Sequence, residues 1–220
     1  MTDHGAAELI ARTRREIAAA TTANRFVEML EVGDLPRDRL VWLAGEEYRI
    51  VRSDRCSFAL LAARFPDPPT GELFLGLAQG EGQALTLLGD FAGALGHSEK
   101  NLMTYEPKPF AQAYPAYLAQ RAAFGTATEV ALAMLANLEE WGAYCARTAQ
   151  ALRTQYGLPD EAVGFFDFFS EPPPGFEDQA LHVIASGLAS GDDPVEASRA
   201  ARLLHAYETA FWEALADGLP

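Results

Sequence analysis

Four glutamates, Glu47, Glu81, Glu139 and Glu208, fall on helical stretches of the sequence where the repeat calls for an apolar core residue. Glu47 shares a face with Leu40, Leu43, Ile50 and Val51, and Glu81 with Phe74, Leu77, Leu85 and Leu88. Glu139 follows Leu132 and Leu135 and precedes Gly142 and Ala146, while Glu208 lies among Ala201, Leu204, Phe211 and Leu215. Residues three, four and seven apart occupy one side of a helix, so all of these carboxyls are expected to point inward. A buried carboxylate without a partner loses several kcal/mol of solvation or takes up a proton. Inward acids therefore call either for a polar network that positions helices or for a ligand that satisfies them.

Rings gather on the same helices. Tyr48, Tyr114, Trp141, Phe168, Phe169 and Phe211 all fall near one or other of the acids. Any single ring could simply fill the core. Rings together with carboxylates suit a flat heteroaromatic ligand, with faces to stack on and acceptors for ring nitrogens and an amino group.

A carboxylate-bridged di-iron site is the obvious alternative, but its usual form needs Glu-x-x-His on two helices. The third residues on are Ile50, Ala84, Gly142 and Phe211, none of them a ligand. Of the histidines, only His205 lies close to one of the acids, and a local hydrogen bond accounts for it. Cys56 and Cys145 form no CxxC and no His/Cys cluster. Neither metal nor cofactor is expected.

The elements that must hold these groups are almost all helical. Apolar periodicity, caps and breakers predict helices over 6–20, 25–32, 37–65, 70–95, 110–124, 126–156, 159–169, 176–189 and 194–216. A loop spans 97–109, and Pro172-Pro173-Pro174-Gly175 is a rigid break. No alternation long enough for a strand appears. The expectation is one all-α domain over residues 1–220, a multi-helix bundle with ligand space between facing helices. A net charge of −14 repels phosphate backbones, which argues against nucleic acid as a partner. No run approaches the roughly 20 apolar residues of a membrane span. Arg12, Arg14, Arg15 and Glu16 interrupt the N-terminal stretch where a signal peptide needs an apolar core, so a cytoplasmic location is expected.

Several segments resemble successive landmarks of the thiaminase II (TenA) family: Asn24-Arg25-Phe26-Val27, Gly33-Asp34-Leu35-Pro36, Leu43-Ala44-Gly45-Glu46-Glu47-Tyr48 and Tyr207-Glu208-Thr209-Ala210-Phe211-Trp212-Glu213. The resemblance spans essentially the whole chain, and the last motif is the most specific. It implies a haem-oxygenase-like helical fold, hydrolysis of thiamine-derived aminopyrimidines without a cofactor, and a homo-oligomer, dimer or tetramer.

Carried over position by position, the family's pocket aspartate falls on Glu47 and its general-acid glutamate on Glu208. A pocket tyrosine lies near Tyr114, and another near Phe168 or Phe169. A further tyrosine position holds Ile50. The nucleophilic cysteine falls on Glu139, two residues before Trp141, which resembles a branch of the family that uses glutamate in place of cysteine. Glu81 occupies a metal-ligand position of some relatives, but the histidine expected seven residues later is Leu88. The resemblance thus implies Glu139 and Glu208 as catalytic groups, with Glu140 as the rival to Glu139. Glu47, Tyr48, Glu81, Tyr114, Trp141, Phe168, Phe169 and Phe211 would hold the pyrimidine. Two other functions stay open: a ligand-binding or regulatory protein without turnover, and an oxidase or quinone-cofactor synthase of the same fold.

Overall fold

The computed structural model describes residues 2–219, with side chains from His4 onward. Ten helices and no strand occur among them. They are α1 (Thr2–Ala20), α2 (Arg25–Glu31), α3 (Arg37–Arg64), α4 (Thr70–Ala94), α5 (Glu99–Thr104), α6 (Ala113–Phe124), α7 (Ala127–Thr154), α8 (Asp160–Phe169), α9 (Phe176–Ala189) and α10 (Pro194–Ala216). No described helix is long and apolar enough to cross a membrane.

Local chemistry sets the ends of these helices. The Asn24 side chain accepts from the Val27 amide at 3.1 Å, and Thr126 accepts from Glu129 at 3.2 Å, so both satisfy first-turn donors. Gly33, with φ +79°, takes the left-handed turn that closes α2. The chain then runs through Leu35, whose amide and carbonyl both bond the buried Tyr156 hydroxyl at 3.0 Å. That hydroxyl ties the entry of α3 to the end of α7.

The sequence predicts a loop over 97–109, and the structure places α5 inside it. Ser98 and Asn101 form a capping box, with the Ser98 amide donating to Asn101 at 2.9 Å. What anchors this segment is Glu46, which is fully buried. Its carboxylate accepts from the Tyr105 hydroxyl at 2.9 Å, from the Lys108 amide at 2.7 Å and from the Gln112 side chain. Arg49, one turn on, donates to the Tyr105 carbonyl.

The long helices pack α3 against α4 and α6, and α7 against α8, α9 and α10. Two apolar clusters result. One gathers Phe26, Leu40, Leu43, Leu88, Phe91 and Phe166; the other gathers Phe58, Leu61, Phe74, Leu118, Leu132 and Leu204. Each such side chain contributes roughly 1.5–3 kcal/mol when fully buried. Most expected helix boundaries lie within a few residues of those observed.

Gly45 shows how closely the anchored segment is fitted. A Cβ added there would stand 2.4 Å from the Tyr105 ring. In an open helix interior, Gly→Ala stabilises by about 1 kcal/mol. Here the sign is expected to reverse: Gly45→Ala should lower the free energy of unfolding in urea by roughly 1–3 kcal/mol as Tyr105 is displaced. A stabilised variant would show that the ring can move away without loss.

Candidate functional site

A cavity of about 350 Å³ opens where the two apolar clusters meet. α3 supplies Glu47, Ile50, Val51, Asp54 and Phe58, one face of the helix at the spacing its periodicity dictates. α4 contributes Glu81, α6 Tyr114, α7 Asn137 and Trp141, α8 Phe168 and Phe169, and α10 Leu204, Glu208 and Phe211. Glu72, Glu171, Pro173 and Pro174 also border it, and Glu72 and all three of the α8–α9 residues are exposed. Such a volume suits a small ring compound.

No basic residue, histidine or cysteine lies among the described residues lining the cavity. Glu47 and Glu208 are nonetheless buried, each with its Oε1 unpartnered, and Asp54 is buried with Oδ1 unpartnered. Burial pushes the carboxyl of Glu208 up to about 8, with the charge of Glu140 adding to the effect. Burial likewise takes Asp54 to about 8, against the opposing hydrogen bond from Tyr114. Glu47 rises well above its ordinary range through burial and then the charges of Asp54, Glu208 and Glu46. Glu81, only partly buried by exposure but enclosed by the cavity walls, rises through desolvation and the charges of Asp54 and Glu47. Four acids with raised carboxyls thus share, with the exposed Glu72 and Glu171 at its border, a space that no basic residue among the described ones lines.

Rings line the same cavity. Trp141 meets Phe169 edge-on at 6.1 Å between centroids, and Phe168 meets Phe169 at 5.1 Å. Their faces and edges border a slot suited to a flat ligand.

The structure gathers Glu47, Glu81, Tyr114, Trp141, Phe168, Phe169, Phe211 and Glu208 around one space, as expected from the sequence. Two expectations need correction. Glu139 is exposed and lines no described cavity. It shares the solvent face of α7 with Ala143, Ala146 and Gln150. The first half of α7 is buried nearly all round, so Leu132 and Leu135 carry no information about which way Glu139 turns, and alanine fits either face. The residue that α7 presents to the cavity one turn before Trp141 is Asn137, whose Oδ1 is unpartnered. Tyr48 is buried but lies outside the cavity; its hydroxyl donates to Glu99 at 3.3 Å and accepts from Arg52 at 3.1 Å.

Asp54 was missed, although it stands seven residues after Glu47 and the same face rule finds it. The sequence offers Glu140 as the rival of Glu139 and gives His205 a local hydrogen bond. Glu140 and His205 face each other at 3.0 Å in a second, polar cleft of about 350 Å³ between α7, α10 and the α1–α2 linker. Glu208 lines both spaces. Cys145 is buried, and burial pushes its thiol well up, which agrees with a core role.

A family model described as TENA/THI-4/PQQC matches residues 13–163. The chain belongs to that family. Solved structures agree on the fold of this TENA/THI-4/PQQC member. A TenA homologue from P. horikoshii OT3 is 17% identical with a TM-score of 0.72, covering 96% of this chain and 97% of that one. A protein described as a TenA family transcription regulator from a Silicibacter species is 18% identical with a TM-score of 0.73, covering 94% and 96%. A domain with a heme oxygenase-like fold from Shewanella denitrificans is 15% identical with a TM-score of 0.68, covering 94% and 88%. The fold is thus haem-oxygenase-like. No curated protein sequence matches the chain.

The raised carboxyls make stability depend on pH. Folded Glu208 keeps its proton to about pH 8, whereas the unfolded chain releases it near the ordinary 4.5. Between those values the folded state binds more protons, so stability falls as pH rises through the window. Urea unfolding of the parent is expected to lose on the order of a few kcal/mol between about pH 5 and pH 8.5, and Glu208→Gln should flatten that slope. Equal slopes for parent and variant would mean that Glu208 stays ionised in the fold.

Proposed function

We propose that the chain hydrolyses an amino-substituted pyrimidine derived from thiamine, bound in the ring-lined cavity. What supports this most is the set of three buried carboxyls, Glu47, Asp54 and Glu208, each with an unpartnered oxygen and with no protein cation among the residues lining the cavity. A heteroaromatic ring bearing amino groups brings the donors those oxygens lack, and it brings faces for Trp141, Phe168 and Phe169. Membership of the family and the intact Glu208 motif point to the same ligand class.

Under this reading water is the nucleophile. A carboxylate of the Glu47 and Asp54 pair takes the proton of the attacking water as its oxygen bonds to the carbon that carries the amine. The carbon–nitrogen bond breaks, and protonated Glu208 donates to the departing nitrogen, so that ammonia leaves. The base then holds one proton more and Glu208 one fewer, and exchange with solvent restores both. Burial raises all three carboxyls, and their mutual repulsion keeps them from ionising together, so loss of one proton from the Glu47 and Asp54 pair leaves a base beside a Glu208 that keeps its own. Tyr114, hydrogen-bonded to Asp54, orients that carboxyl. Glu139 takes no part.

Binding without turnover is the second reading, and Asn137 favours it. An amide faces the cavity in the stretch where the family resemblance calls for a nucleophile.

Ammonia release from 4-amino-5-aminomethyl-2-methylpyrimidine separates the two. The parent chain is expected to turn it over, Glu208→Gln to lose roughly 10²-fold or more in kcat, and Glu139→Gln to stay within about twofold of the parent. A parent that binds the pyrimidine by calorimetry yet releases no ammonia would establish the second reading.

A further inference from the structure

Glu208 forms part of the wall between two spaces of different character. On the cavity side it shares the space with Glu47 from α3 and Tyr114 from α6, and the surrounding wall is mostly rings and aliphatic chains. On the other side lies the polar cleft. There Glu140 and Tyr144 of α7 and His205 of α10 are linked: the Tyr144 hydroxyl donates to Glu140 at 3.1 Å, and Glu140 stands 3.0 Å from His205 Nδ1. His205 Nε2 lies 3.4 Å from the Thr21 hydroxyl, and Thr21 is exposed. Arg25, Glu213 and Asp217 complete the charged groups of the cleft.

A ligand seated in the cavity covers the only face of Glu208 that the ring-lined side offers to solvent. An acid that gives up its proton beneath a bound ring must then be recharged by another path. The cleft is polar and large enough to hold several waters. We propose that it is the proton entrance of the site, carrying protons from solvent through Glu140 and His205 to the back of Glu208 while the cavity is occupied. The assignment rests on the reading of Glu208 as the acid of a hydrolase. The balance is simple: a proton leaves water, passes along the carboxylate and imidazole, and forms the O–H bond of Glu208, with one O–H or N–H bond broken for each one made. Burial pushes the Glu140 carboxyl up, but the hydrogen bonds and charge of His205 with the hydrogen bonds of Tyr144 and Thr21 together outweigh it and hold the carboxyl below the usual range, so it stays an acceptor at neutral pH. Neither Glu140 nor His205 touches the ligand space, and both are positioning residues here.

The test follows the Glu208 carboxyl band by infrared difference spectroscopy after a pH jump, with Glu208→Gln used to assign it. No turnover is needed, so failure of the hydrolase reading leaves this measurement interpretable. Gly76 lies at the cavity with open space around an added Cβ, and Gly76→Trp obstructs that side. Ala23, exposed on the α1–α2 linker, lines the cleft, and Ala23→Trp obstructs the other while leaving Glu140 and His205 in place. Gly76→Trp alone is expected to keep the parent rate of proton exchange, and Ala23→Trp or His205→Gln added to Gly76→Trp to slow it roughly tenfold or more. Slowing in Gly76→Trp alone, or parent rates in both double variants, would overturn the proposal.

Discussion

Desolvation of carboxyl groups is the constraint on which the arrangement of this protein turns. Each buried acid must be neutralised by a proton, by hydrogen-bond donors or by something from outside, and the fold uses the first two in separate places. Glu46 receives three donors and becomes a structural anchor. Glu47, Asp54 and Glu208 each keep an oxygen without a donor, and burial pushes their carboxyls above the usual range. The difference between neighbours in sequence is thus a difference in how many donors the surrounding chain brings.

The cavity also divides the core. Its walls draw on both apolar clusters, so a single close-packed interior is replaced by two with an acidic band between them. Filling that band with aliphatic side chains would give a more stable protein with nothing to bind, a trade commonly met where function requires unsatisfied groups. Long helices make the division tolerable. α3, α7 and α10 each cross from one cluster to the other, and the Tyr156 hydroxyl and the Glu46 carboxylate clamp the connections between elements.

Much of this was legible in the sequence, because helical periodicity is a strong signal when polar residues break an apolar stripe. Glu47, Glu81 and Glu208 stood out in that way, and the fold class, the main helices and the ring-lined wall followed. The failures have physical causes. Periodicity cannot orient a helix segment buried on all sides, so Glu139 was turned inward by leucines that would have flanked any residue there. Tyr48 follows Glu47 directly, and adjacent helical residues point about 100° apart, so its ring is carried out of the cavity. Asp54 obeyed the face rule but was not a glutamate. The α5 turn depends on contacts to Glu46 from residues about 60 positions away, which no local pattern encodes.

α3 has two working sides. Gly45, Glu46 and Arg49 hold the α5 segment, whereas Glu47, Ile50, Asp54 and Phe58 face the ligand space. These sets interleave in sequence yet diverge in space, so they answer to different packing constraints, with the charge of Glu46 on Glu47 as the link between them. Selection can therefore redraw which molecule is recognised, one helical turn at a time, without loosening the strap behind it, and a single rigid rod becomes a substrate for evolutionary drift in specificity.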